Sequence, residues 1–333
     1  MKLDGADWPL FGWSNDIRPA LQDARSRGVA VVVATLVGVT GSSPRPTGTQ
    51  MVFDGQSAAG YLSGGCLEAD IANHAAQVAQ DGKPKWLTYG EGSPWIDIRL
   101  LCGGSLRILL ERLAPTDEAV GALLSLADER RPARWVSSGE HRFVHAELTP
   151  SAPHYCASSY GLSYAPRSRL ILVGGDPIAL AIAHLAELSG FETIIVRPNG
   201  PASLPPIKAS YVRGAPGDTI RELMPDAWTT VIAATHDDDL DDETIMAASS
   251  WGTAYIGVLG SRRRCLPRQE RLLRQGMTVG QIEGIHAPIG VVECGKDPWA
   301  VAVSVIAEVM HTLHVAAREA QAPRPTPRIA RYG

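Results

Sequence analysis

Two cysteines set among glycines are the residues of this chain best suited to chemistry. Cys66 stands in SGGCLEAD (63–70), where a helical spacing begins, so Ser63, Gly64 and Gly65 lead directly into it. A helix N-terminus carries partial positive charge and unpaired N–H groups, which favour a thiolate. Glycines in front of it let the backbone turn N–H groups toward an anion. Cys102 stands in LLCGG (100–104), followed by Gly103 and Gly104. Glycine there permits close approach of backbone to a ligand. Two thiols on glycine-rich loops suit a soft metal, a sulfur atom or redox exchange. The alternative is that both are small core residues beside tight turns, a common place for free cysteine.

Other loops carry further candidates. GSSPRPTG (41–48) is stiffened by two prolines and presents Arg45, a forked donor for phosphate or carboxylate. GSRRR (260–264) opens a charged helix, so Gly260, Ser261 and Arg262 would favour an anion. IHAPIG (285–290) places His286 in a loop before the last helix. The plain readings are an exposed turn, a solvated helix start and a structural histidine. Asp237, Asp238, Asp239, Asp241 and Asp242 could hold a cation, but acids also suit a helix start. VGGDPIALA (173–181) falls in a dinucleotide-fingerprint frame with Asp176 at the second glycine position. The next strand ends in Arg197-Pro198-Asn199, where a ribose-holding acid belongs. Ordinary NAD binding is therefore disfavoured.

These loops need elements to position them. Residues 169–320 alternate strand and helix signals: strands at Leu170–Val173, Thr193–Val196, Tyr211–Val212, Thr229–Ala234 and Ala254–Leu259, with helices between. Such alternation predicts a parallel sheet covered by helices, with ligands at the carboxyl ends of its strands. Arg262–Arg274 reads as one charged helix and Pro298–Ala317 as a long apolar one. Residues 1–145 are less regular: a helix over Asp16–Arg27, strands over Val29–Val37, Met51–Phe53 and Leu106–Leu110, and a helix over Leu67–Gln80. The expected fold class is α/β, an N-terminal α+β domain followed by a Rossmann-like parallel domain. Residues 146–168, rich in Ser, Ala, Pro and Tyr, read as a linker, and 321–333 as a flexible tail.

Composition narrows the function classes. A length of 333 residues suits two domains. The formal charge is 31 − 35 = −4, against a generally basic nucleic-acid binder. Five scattered cysteines with no CxxC pair give neither a disulfide framework nor a zinc finger. The longest apolar stretch, Val29–Val37, falls short of the ~20 residues of a membrane helix, and no secretory signal leads the chain. A reducing, cytoplasmic setting with no membrane partner is the simplest expectation.

Taken together, GSSPRPTGTQM (41–51), SGGCLEAD, LCGGSLRILLE (101–111), ATHDDDLDDETI (234–245), YIGVLGSRRR (255–264) and IHAPIG resemble the XdhC/CoxI family. The resemblance implies an accessory maturation factor for molybdenum hydroxylases such as xanthine dehydrogenase and carbon monoxide dehydrogenase. Such a protein binds the molybdenum cofactor (molybdopterin) and holds it while a cysteine desulfurase exchanges an oxo for a sulfido ligand. It then delivers the cofactor to the hydroxylase apoprotein. Carried across by motif, Cys66 and Cys102 become possible molybdenum or sulfur contacts and Arg45 a phosphate contact. Many relatives read Gly-Ala-Gly-His where this chain has Gly174-Gly175-Asp176-Pro177. The cargo could be the bare phosphate or the cytosine dinucleotide form, and a homodimer is a reasonable expectation of the family type. The competing readings are an NAD(P)-dependent oxidoreductase on the parallel sheet and a persulfide-carrying sulfurtransferase using Cys66.

Overall fold

The computed structural model describes residues 15–63, 65, 67–90, 104–156 and 159–321. The chain divides into two compact units, Met1–Pro166 and Arg167–Gly333. Gly64, Cys66, Cys102 and Gly103 lie outside the described residues, as does the expected tail beyond Gln321.

The first unit opens with α1 (Arg18–Ser26), β1 (Val31–Thr40), β2 (Gln50–Phe53), β3 (Ala58–Gly60), α2 (Glu68–Asp81), β4 (Lys85–Tyr89) and β5 (Ser105–Leu113). The strands form a sheet of order β3-β2-β1-β5-β4, antiparallel at every pairing. Period-two alternation explains its two faces. Val32, Ala34 and Leu36 pack with α2 through Ile71, Ala75 and Val78. Val31 and Val33 turn the other way, toward Leu21, Leu123 and Trp135. A bulge between Leu36 and Gly38 shifts the register, so Val39 rejoins the α2 face.

The unit continues with α3 (Glu118–Asp128), β6 (Ala133–Ser137), β7 (Arg142–Ala146), β8 (His154–Cys156) and β9 (Ser159–Tyr164). These strands make a second antiparallel sheet of order β7-β6-β9-β8. The linker expectation for 146–168 is thereby corrected. That stretch supplies β8 and β9, and Tyr160 of β9 is buried, its hydroxyl donating to Glu111 at 2.7 Å.

The β2–β3 turn carries a pH-dependent contact. Asp54 accepts from the N–H groups of Gln56 (2.9 Å) and Ser57 (2.6 Å) and from Arg27 Nη2 (2.6 Å). Partial burial alone would raise its pKa, but these donors outweigh that and lower it to about 2. A depressed carboxylate stabilises the fold above its unfolded pKa and loses that contribution as pH falls through the folded value. At this solvent-screened turn Asp54→Asn should cost about 1 kcal/mol at pH 7. In urea melts the gap between wild type and variant should close between about pH 4 and pH 2. A gap that stays constant over that range would refute the assignment.

The second unit comprises β10 (Arg169–Gly174), α4 (Pro177–Leu188), β11 (Glu192–Val196), β12 (Ser210–Val212), α5 (Pro216–Leu223), β13 (Thr229–Ala234), α6 (Asp238–Ser249) and β14 (Tyr255–Val258). A 3₁₀ turn (Arg262–Arg264), α7 (Cys265–Arg274), α8 (Val279–Glu283), β15 (Ile285–His286) and α9 (Pro298–Gln321) complete it. All strands run parallel in the order β12-β11-β10-β13-β14-β15. Helices cover both faces: Leu170 and Leu172 meet Ile182 and Val305, while Ile171 and Val173 meet Ile220 and Ile245. The α/β class and the Rossmann-like second domain stand as expected. The single helix expected over Arg262–Arg274 is a 3₁₀ turn followed by α7. By length and composition alone α9 could cross a membrane. Its residues Ala302, Val305, Ile306 and Val309 pack in the core with α4.

Candidate functional site

In the first sheet β1, β3 and β4 point the same way, because each is antiparallel to a partner running back. The described residues that follow them, 41–49, 61–63, 65, 67 and 90, therefore leave from one end of the sheet, and 104 enters β5 there. These residues belong to the segments holding GSSPRPTG, SGGC and CGG.

Contacts join these segments. A Cβ at Gly104 would lie 2.1 Å from the Ser42 carbonyl oxygen, so only glycine lets the CGG segment meet the GSSPRPTG loop. Arg45 bridges to the third loop. Its Nη1 donates to the Tyr61 hydroxyl at 3.1 Å, and its guanidinium carbon stands 4.4 Å from the Tyr61 ring centre. Its Nη2 donates to Asn15. Arg45 is thus not the open fork expected from sequence. What it retains is Nε, buried and without a hydrogen-bond partner among the described residues.

Beneath the SGGC loop lies a residue whose role the sequence does not announce. Glu68, fully buried at the first turn of α2, accepts from the N–H groups of Leu62 (3.0 Å), Ser63 (2.7 Å), Gly65 (2.9 Å) and Leu67 (3.2 Å). It also accepts from the Ser63 hydroxyl at 2.5 Å. Burial would raise its pKa, yet the Ser63 and Leu62 donors hold it below the usual carboxylate range. These four N–H groups are therefore spent on an internal anion, which corrects the expectation that Ser63 and Gly65 aim theirs at a ligand. The available clue was an acid directly after an apolar Cys-Leu pair. Acids are common at helix starts, which hid it. Nearby, the Tyr89 hydroxyl donates to Asp70 at 2.6 Å, and burial together with that carboxylate raises the phenol.

Cys66 and Cys102 are outside the described residues. Their described neighbours, Gly65 and Leu67 for one and Gly104 for the other, belong to this end of the sheet.

In the second unit the other candidates also meet. Gly260 and Ser261 follow β14, and the Cys265 thiol donates to the Ala287 carbonyl at 3.4 Å, joining GSRRR to IHAPIG. Arg262 and Arg263 are exposed, while Arg264 pairs with Asp238. His286 is held rather than loose. Its Nδ1 lies 2.7 Å from Glu308 Oε1 on α9, and its ring stacks on Tyr255 at 4.2 Å. The Tyr255 hydroxyl donates to the same oxygen at 2.8 Å, and burial with Glu308 raises that phenol. A carboxylate on Nδ1 makes that nitrogen the donor to Glu308 and leaves Nε2 as the nitrogen that can meet a ligand. Nε2 has no protein partner among the described residues.

The acidic run is a solvated helix start only in its first part, where Asp237 caps α6 and Asp239 is exposed. Asp241 and Asp242 are buried, and they meet Arg268 (2.9 Å) and Arg271 (2.7 Å) from α7. The arginine run and the acidic run answer each other. No cluster of His, Cys, Asp and Glu fit for a metal ion occurs among the described residues.

Known proteins are similar to this chain. Residues 24–90 match the family described as XdhC and CoxI, and residues 170–309 match the XdhC Rossmann domain. The molybdenum cofactor insertion chaperone PaoD of Escherichia coli (strain K12) is 30% identical over 289 residues, 86% of this chain and 85% of that protein. A protein of Bacillus subtilis (strain 168) described as a probable xanthine dehydrogenase subunit is 25% identical, covering 84% of this chain and 92% of that one. The crystal structure of a xanthine dehydrogenase from Bacillus halodurans shares the fold, with a TM-score of 0.73 at 23% identity over 92% of this chain and 98% of that one.

Proposed function

This chain belongs to the XdhC and CoxI family, and from that membership we propose that it carries the molybdenum cofactor as cargo to a molybdenum hydroxylase of the xanthine dehydrogenase type. The observation that carries this reading is the meeting of Gly104 with Ser42 and of Arg45 with Tyr61 at one end of the first sheet. Thiolate is a suitable partner for molybdenum and for its sulfur ligands, which gives Cys66 and Cys102 their proposed role. The orphaned Arg45 Nε offers a donor to the pterin's phosphate, in the bare or the cytosine dinucleotide form alike. Gly64, Gly65, Gly103 and Gly104 add little bulk, so flat cargo can approach the backbone. In the second unit Gly260, Ser261, Arg262 and the Nε2 of His286 form a second set of proposed contacts. A carrier must also release, so few and exchangeable ligands suit it better than a closed metal cage. Within this reading the protein holds the cofactor while a cysteine desulfurase supplies the sulfido ligand. A hydride-transfer enzyme is disfavoured by Asp176, which caps α4 where a dinucleotide's pyrophosphate would sit.

The test is protein purified without oxygen from a host that makes the cofactor. Molybdenum by elemental analysis and pterin by fluorescence after oxidation should both approach one per chain. Cys66→Ala and Cys102→Ala should each retain at least tenfold less cargo, with unchanged melting temperature. Wild type free of both metal and pterin would end the proposal. Two variants that load normally would end the thiol assignment.

A further inference from the structure

The parallel sheet of the second unit changes direction of winding at β10, which has β11 on one side and β13 on the other. Open α/β sheets bind ligands at the strand ends beside such a point. A cleft of about 270 Å³ lies there, at the carboxyl ends of β10, β11 and β13. Its chemistry differs from that of an NAD site in two specific ways.

The first concerns the α4 N-terminus. Asp176 places its carboxylate there, accepting from the Ala179 N–H at 2.7 Å and sitting 2.8 Å from His236 Nε2. A pyrophosphate at this position would meet a fixed negative charge and find the helix donor already used. The second concerns the end of β11. Arg197 is exposed, and its side chain has no hydrogen bond or ion pair among the described residues. A Cβ at Gly175 would fall 2.6 Å from Arg197 Cδ, so the arginine stem lies directly against the bare backbone of the cleft. The guanidinium is thereby held at the mouth with all its donors unused. Beside it stand Asn199, a neutral donor and acceptor, and the apolar walls of Pro198 and Leu240.

A cation at one end, apolar walls and a carboxylate acceptor match a ligand with one anionic group, a flat ring and hydroxyls between them. We propose that this cleft binds a nucleoside monophosphate, with its phosphate on Arg197 and its ribose hydroxyls toward Asp176, and that Asp176 excludes NAD and NADP. The inference is independent of the cargo site of the first unit.

Calorimetric titration of the whole protein with AMP, CMP, GMP and UMP, and separately with NAD, NADP and inorganic phosphate, tests it. At least one monophosphate should bind at least tenfold more tightly than either dinucleotide and than phosphate alone. Arg197→Ala should weaken that monophosphate at least tenfold. Arg197 is exposed, so the variant should melt like wild type. Asp176→Gly should gain affinity for NAD, whereas Asp176→Asn, which keeps the helix cap, serves as the folding control. Dinucleotides binding as tightly as monophosphates, no binding of any monophosphate at millimolar concentration, phosphate alone binding equally well, or an Arg197→Ala variant with full affinity would each overturn the proposal.

Discussion

Glu68→Ala is expected to cost about 3–5 kcal/mol of stability and to empty the cargo end of the first unit. The carboxylate serves four backbone N–H groups and the Ser63 hydroxyl. Alanine leaves these donors facing a void. Each buried unmade bond costs about 1–3 kcal/mol, reduced where water or relaxation reaches it. Glu68→Gln keeps the shape but turns an amide nitrogen toward donors, so it should fall between alanine and wild type. Urea denaturation measures the stability arm, and metal and pterin content the cargo arm. An alanine variant as stable and as well loaded as wild type would remove Glu68 from its assigned place.

Arg268→Ala should destabilise the second unit by a similar amount, about 3–5 kcal/mol. The guanidinium is 3% exposed and lies 2.9 Å from Asp241, itself fully buried. Removing the cation leaves a buried carboxylate whose donors among the described residues are the Thr235 N–H and hydroxyl. Breaking such a pair costs more than the pair is worth, because the surviving charge stays desolvated. A double variant, Arg268→Met with Asp241→Asn, should therefore recover more than half of the loss. Equal loss in single and double variants would show that packing, not charge, sets the cost.

The parallel sheet was the most legible part of the chain. Thr229–Ile232 is a β-favouring run that continues through two alanines to a polar turn, and Thr229–Ala234 is the buried strand β13. Strands buried on both faces announce themselves by composition. The sheet β7-β6-β9-β8 did not, because β7 and β8 are largely exposed and β8 is three residues long beside Pro150 and Pro153. At the site, residue type was legible and occupancy was not. Arg45 reads as a free donor until Tyr61 and Asn15 are seen to use it. His286 reads as a lone histidine because Glu308 reaches it from another element, α9. The acidic run likewise gives no sign of Arg268 and Arg271 until α6 and α7 are packed together.

The meeting of Gly104 with Ser42 also has a bearing on time. The two residues are distant in sequence, and they come together only when β5 pairs with β1. Non-local strand pairing is slow and follows local structure. During synthesis the 41–48 loop and the SGGC loop emerge well before the strand that completes their surroundings. A partly made chain therefore lacks the contact of Gly104 with Ser42, and on the proposed function a ligand is held at this end only after β5 completes the five-stranded sheet.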